Sequence, residues 1–92
     1  MARVLIVDDD APLRRLLVRG LTGATHDVDD SPDADHAIAS LRRAQYDVVV
    51  TDLRMAGTDG TDVLRSALAL QPCPAVILNE AWMVRIECAT LA

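Results

Sequence analysis

Short apolar runs and helical stripes alternate along this chain. Val4-Leu5-Ile6-Val7 and Val48-Val49-Val50-Thr51 are continuous and largely β-branched, the pattern of strands covered on both faces in a parallel sheet. Between them, Leu13, Leu16, Leu17 and Leu21 recur at helical spacing, with Asp10 as N-cap, Pro12 in the first turn, and Gly20 and Gly23 as stop signals. Residues 26–31 predict a weak second strand: Val28 stands among Asp27, Asp29 and Asp30, as suits a charge-blunted sheet edge. Pro32-Asp33 opens a second helix with Ala34, Ala37, Ile38 and Leu41 inward, and Arg42-Arg43 closes it, favourably for the helix dipole. Residues 46–51 predict a third strand. The loop 55–60 then leads to a third helix carrying Val63, Leu64, Ala67 and Leu68. Gln71-Pro72-Cys73-Pro74 breaks that helix, and 75–78 predict a fourth strand. The sum is a doubly wound parallel α/β sheet with right-handed crossovers. Beyond Leu78 the pattern is ambiguous. Residues 82–88 fit both periods, and helix is favoured because one is due next in the alternation.

Both strong strands end in aspartate. The first runs into Asp8-Asp9-Asp10 and the second into Asp52. In open parallel sheets the working groups sit at the carboxyl ends of strands, next to the point where strand order reverses. Carboxylates ~4 Å apart at an effective dielectric near 20 repel by roughly 4 kcal/mol per pair. A hard divalent cation relieves that repulsion, and Mg²⁺ takes a few carboxylates together with water and phosphate oxygens. A metal-dependent phosphoryl site is the first expectation. Asp10 before Ala11-Pro12 also reads simply as a helix cap.

Composition narrows the class. Ninety-two residues make one small domain, and the 51% hydrophobic content includes no Phe, one Trp (Trp82) and one Tyr (Tyr46), so the core must be aliphatic. No apolar stretch approaches the ~20 residues of a membrane span, and no signal peptide is evident; a cytoplasmic location and no membrane partner are expected. The net charge of −5 argues against direct nucleic-acid binding. All nine basic residues are arginine. Cys73 and Cys88 match no metal or redox spacing and are expected to be free thiols. His26 and His36 lie in polar surroundings and read as surface residues.

Arg3-Val4-Leu5-Ile6-Val7-Asp8-Asp9-Asp10, with Leu13-Arg14, and later Tyr46-Asp47-Val48-Val49-Val50-Thr51-Asp52-Leu53-Arg54-Met55-Ala56-Gly57-Thr58-Asp59-Gly60, resemble the receiver domain of two-component response regulators. The resemblance covers about residues 2–79 and implies a receiver-like domain, 1–79, ahead of a divergent tail, 80–92. It implies a flavodoxin-like sheet of order 2-1-3-4, a phosphorelay role, and a sensor histidine kinase as partner. It further implies Asp52 as phosphoacceptor, Asp9 as direct Mg²⁺ ligand, Asp8 acting mainly through water, and the Arg54 backbone carbonyl as a further ligand. A carboxylate nucleophile with a metal to offset transferring charge is consistent chemistry.

Departures stand beside the matches. Ala56 replaces the family's Pro, and Glu80 stands where the family has Thr or Ser. The family's lysine has no counterpart in a chain without lysine. Its fifth strand and last helix are expected to be absent, as in a truncated or frameshifted gene. The alternative function is therefore a degenerate, phosphorylation-independent dimerisation module. In that case an exposed fourth strand and an uncovered Leu13/Leu16/Leu17/Leu21 face would drive homodimer formation. An enzyme, such as a metal-dependent phosphatase of the same architecture, is disfavoured because the 53–60 continuation fits receivers better.

Overall fold

The computed structural model describes residues 1–53, 60–79 and 83–86. Its elements are β1 (Arg3–Val7), α1 (Ala11–Gly23), β2 (Asp27–Ser31), α2 (Ala34–Arg43), β3 (Val48–Thr51), α3 (Gly60–Leu68), β4 (Ala75–Asn79) and β5 (Met83–Ile86). The sheet order is β2-β1-β3-β4-β5. The first four strands are parallel, with Val4 opposite both Val28 and Val48, and Val48 opposite Ala75. This is the expected 2-1-3-4 arrangement.

Alternation along the strands sorts side chains to two faces. Leu5, Val7, Val49, Val76 and Leu78 meet Ala34, Ala37 and Leu41 of α2 and Val63 and Ala67 of α3 in one core. Val4, Ile6 and Val50 point the other way, against Leu17, Val18 and Leu21 of α1. Small residues at Ala34, Ala37 and Ala67 let the two helices lie close to the sheet. The helix starts follow the sequence signals. Asp10 caps α1 by accepting from the Leu13 N–H at 3.1 Å, and Asp33 caps α2 by accepting from the His36 N–H at 2.8 Å. Helix α1 runs through Gly20 to Gly23, and the one positive-φ non-glycine residue among those described is Thr25, at 69°.

Strand β2 is the charged edge expected from its aspartates. Its inner anchor is Tyr46, whose hydroxyl donates to Asp29 at 2.6 Å, while the Arg3 guanidinium stands 5.3 Å from the centre of the same ring. Burial and the Asp29 carboxylate push the Tyr46 phenol up to about 12.

The far end of the sheet corrects three expectations. Helical spacing over 82–88 predicts a helix, yet Met83–Ile86 is a strand, paired antiparallel with β4 from Val76↔Ile86 to Asn79↔Met83. Three residues separate Asn79 from Met83. A connection that short fits an antiparallel hairpin, whereas another parallel strand needs a crossover of about a dozen residues or more. Among the described residues the family's parallel fifth strand does not occur, and an antiparallel one fills its edge. Strand β4 is therefore covered, which removes the exposed edge that motivated a dimerisation module. Lastly, Cys73 is disulfide-bonded and is not a free thiol. The hairpin carries Ile86 back beside Val76, a proximity that spacing along the chain does not reveal. Among the described residues, no helix is long and apolar enough to cross a membrane.

Candidate functional site: an acidic cluster at the strand ends

The carboxyl ends of β1 and β3 lie side by side in the middle of the sheet, where the chain departs toward α1 on one face and α3 on the other. The Asp52 N–H donates to the Val7 carbonyl at 3.1 Å, which continues the β1–β3 ladder one step past the strand and sets Asp52 beside Asp8. On the opposite side, the Asp8 N–H donates to the Ser31 carbonyl at 3.2 Å. Asp8, Asp9 and Asp52 each offer an oxygen, and these oxygens all lie within 4.8 Å of one another.

The three carboxylates differ in setting. Asp8 is 2% exposed, Asp52 is half-buried and Asp9 faces solvent. Burial raises the Asp8 carboxyl above its usual range. The Asp10 N–H bond to Asp8 Oδ1, at 2.9 Å, opposes that rise, while the neighbouring carboxylates of Asp52, Asp9 and Asp10 reinforce it. Among the described residues Asp8 has no salt-bridge partner. Asp10 stays outside the cluster as the α1 cap.

Three hard oxygen donors, one buried with a destabilised charge and one open to solvent, match a hexacoordinate cation that keeps several waters. The donor set fits Mg²⁺ and offers nothing to a soft metal. Arg54, Ala56 and Glu80 lie outside the described residues.

Two residues shape the site without having been singled out for it. Arg14 reaches from α1 to the β1 end: its Nη1 donates to the Asp8 carbonyl and its Nε to Asp30 Oδ2, both at 2.7 Å. Gly60 starts α3 directly on the chain that continues from Asp52. Its N–H donates to the Leu53 carbonyl at 3.1 Å, and a β-carbon there would overlap the Asp52 carbonyl oxygen. Both stand in the quoted motif. Neither contact is readable from spacing, because each depends on how helices dock on strands.

A mainly parallel, doubly wound α/β sheet with an acidic cluster at its switch point defines a class of modules whose working groups stand at the carboxyl ends of the central strands. Comparison with known proteins makes the class specific. The family model for the response regulator receiver domain matches residues 4–84; the chain belongs to that family, the receivers of two-component systems. It is 38% identical over 77 residues to the transcriptional regulatory protein ResD of Bacillus subtilis, covering 84% of this chain and 32% of ResD. It is also 42% identical over 79 residues to a protein-glutamate methylesterase/protein-glutamine glutaminase of Anaeromyxobacter dehalogenans, covering 84% of this chain and 23% of that one. The chain thus spans about a third or less of the curated relatives it matches. Among solved structures, TrrA of Thermotoga maritima, described in complex with Mg²⁺ and BeF, aligns with a TM-score of 0.77 at 28% identity, covering 85% of this chain and 68% of that one. The chemotaxis regulator CheY4 of Vibrio cholerae aligns with a TM-score of 0.78 at 25% identity, covering 85% and 67%.

Proposed function

We propose that this receiver accepts a phosphoryl group on Asp52 in a Mg²⁺-dependent reaction, with a histidine kinase as donor. The observation that carries the proposal is the convergence of Asp8, Asp9 and Asp52 oxygens within 4.8 Å at the ends of adjacent central strands. Asp8 and Asp9 would hold the metal together with Asp52, and the Arg54 carbonyl would complete the protein ligands. When bound, Mg²⁺ supplies compensation for negative charge on the transferring group and its acceptor. An Asp52 carboxylate oxygen attacks phosphorus. The phosphorus–nitrogen bond of the donor phosphohistidine breaks, its electron pair returns to the imidazole, and a phosphorus–oxygen bond forms on Asp52. The half-buried position of Asp52 leaves an approach for the donor, and its N–H bond to Val7 keeps its backbone fixed during transfer. Two solved structures of one neighbour are consistent with this. TrrA is described with Mg²⁺ and BeF, and also in complex with the histidine kinase ThkA.

Incubation with Mg²⁺ and a small phosphodonor, then intact-mass measurement, tests the proposal. The expected result is a gain of one phosphoryl group in the wild-type chain and none in Asp52→Asn. No gain under conditions that modify another receiver refutes it.

A further inference from the structure

Asp8 is held from three directions. Ser31 accepts its N–H at 3.2 Å, the Asp10 N–H binds its carboxylate at 2.9 Å, and Arg14 Nη1 binds its carbonyl at 2.7 Å. The third contact differs from the others because that carbonyl belongs to the peptide unit joining Asp8 to Asp9. A peptide unit is planar, so fixing its oxygen and the Asp8 N–H fixes where the Asp9 Cα stands relative to Asp8. Arg14 is itself anchored. Its Nε donates to Asp30 Oδ2 at 2.7 Å, and its side chain is only 16% exposed. A planar guanidinium donating to two acceptors at once is a rigid fork that a flexible ammonium does not reproduce. The charge of Arg14 is balanced by Asp30 at the edge of the sheet, so Arg14 can orient the acidic cluster without occupying the cation's place.

We propose that Arg14 is a positioning residue of the metal site, one that sets the Asp8–Asp9 peptide plane and with it the spacing of the two β1-end carboxylates; this rests on the Mg²⁺ reading above. Positioning groups behind metal ligands typically contribute tenfold or more to affinity.

The test is Mg²⁺ titration calorimetry on the full chain, comparing wild type with Arg14→Ala, Arg14→Lys and Asp30→Asn. Leu21→Ala serves as a control that loosens α1 away from the site. Arg14→Ala should raise the Mg²⁺ Kd by about tenfold. Arg14→Lys should recover only part of that loss, and Leu21→Ala should leave Kd unchanged. Asp30→Asn keeps the arginine and an acceptor oxygen but takes the charge from its anchor, and should weaken binding by less than Arg14→Ala. It also provides a reading should Arg14→Ala fold poorly. Equal affinity in wild type, Arg14→Ala and Asp30→Asn overturns the inference alone. Full recovery in Arg14→Lys overturns the fork and leaves only charge. A wild-type chain that takes up no Mg²⁺ overturns the metal site and this inference with it.

Discussion

The two faces of the sheet are built to different standards. Toward α2 and α3, the strand residues Leu5, Val49 and Val76 and the helix residues Ala34, Ala37, Val63 and Ala67 are fully buried. Toward α1, Val4, Ile6 and Val50 are buried by a helix that has no fully buried residue of its own. Leu16 of that helix is 65% exposed. Two helices interlock over the first face, whereas among the described residues α1 alone packs on the second, and none of its side chains is fully buried. Most of the burial free energy therefore sits on the first face. The second keeps enough to hold α1, and with it Arg14, in place. The acidic cluster belongs to neither face, since it lies on the rim that both share.

The largest expected effect tests that contrast. Leu5→Ala removes a fully buried side chain from the two-helix face and should cost about 3–5 kcal/mol, while Leu21→Ala on the α1 face, where the side chain is only partly buried, should cost about 1–2 kcal/mol. Urea midpoints measured by circular dichroism give both values, and equal losses would break the comparison.

Next in size is Gly60→Ala. Its β-carbon meets main chain at Asp52 and Leu53, which cannot rotate away, and overpacking of this kind costs about 1–3 kcal/mol. Because the clash falls on the Asp52 peptide, the variant should also lose its Mg²⁺ response, a coupling that Leu21→Ala should not show in the same melting experiment.

The rim itself should respond to metal. Mg²⁺ at ten- to thirtyfold above Kd should stabilise the wild type by about 1–2 kcal/mol, read as a rise in melting temperature that Asp9→Asn loses. The pH dependence has a defined sign. With the folded carboxyl of Asp8 raised, its ionisation opposes folding, so the metal-free chain gains stability as pH falls through the folded value toward the ordinary one near 3.8. Asp8→Asn should accordingly be more stable than wild type at neutral pH without metal, with the advantage shrinking on acidification. A constant advantage across that range would assign the effect to something other than Asp8 ionisation.

Tyr46→Phe comes next. It removes a 2.6 Å bond to Asp29 from a buried position, for about 1 kcal/mol. The phenol is raised, so its contribution is full below pH 10 and disappears as pH passes about 12. Wild type and variant should therefore converge in alkaline melts. The smallest effect is expected at Leu16: Leu16→Gln should stay within about 0.5 kcal/mol. A larger loss would mean that the outer side of α1 is covered in solution.

Much of this molecule is legible in its sequence because its strongest signals are local. Continuous β-branched runs mark β1 and β3, and aspartates at their ends are carried to one place by the parallel register. Asp10 and Asp33 cap the helices they precede. The illegible parts depend on docking. Leu16 belongs to the apolar stripe of α1, yet one helix on a flat face covers a narrower band than the stripe. Arg14 draws its role from Asp30, on a strand met only after the helix ends. The 82–88 run satisfies two periodicities, and the length of the preceding connection decides between them. The disulfide of Cys73 has no signature in the spacing of the two cysteines along the chain.

The position of the hairpin separates two parts of the chain. Asp8, Asp9, Asp52, Arg14 and Gly60 all precede β4, so strand-end chemistry is encoded in the first two-thirds of the chain. The segment beyond β4, with its antiparallel fifth strand, contains none of those five residues. A change confined to the segment beyond β4 therefore leaves the side chains of the acidic rim as they are.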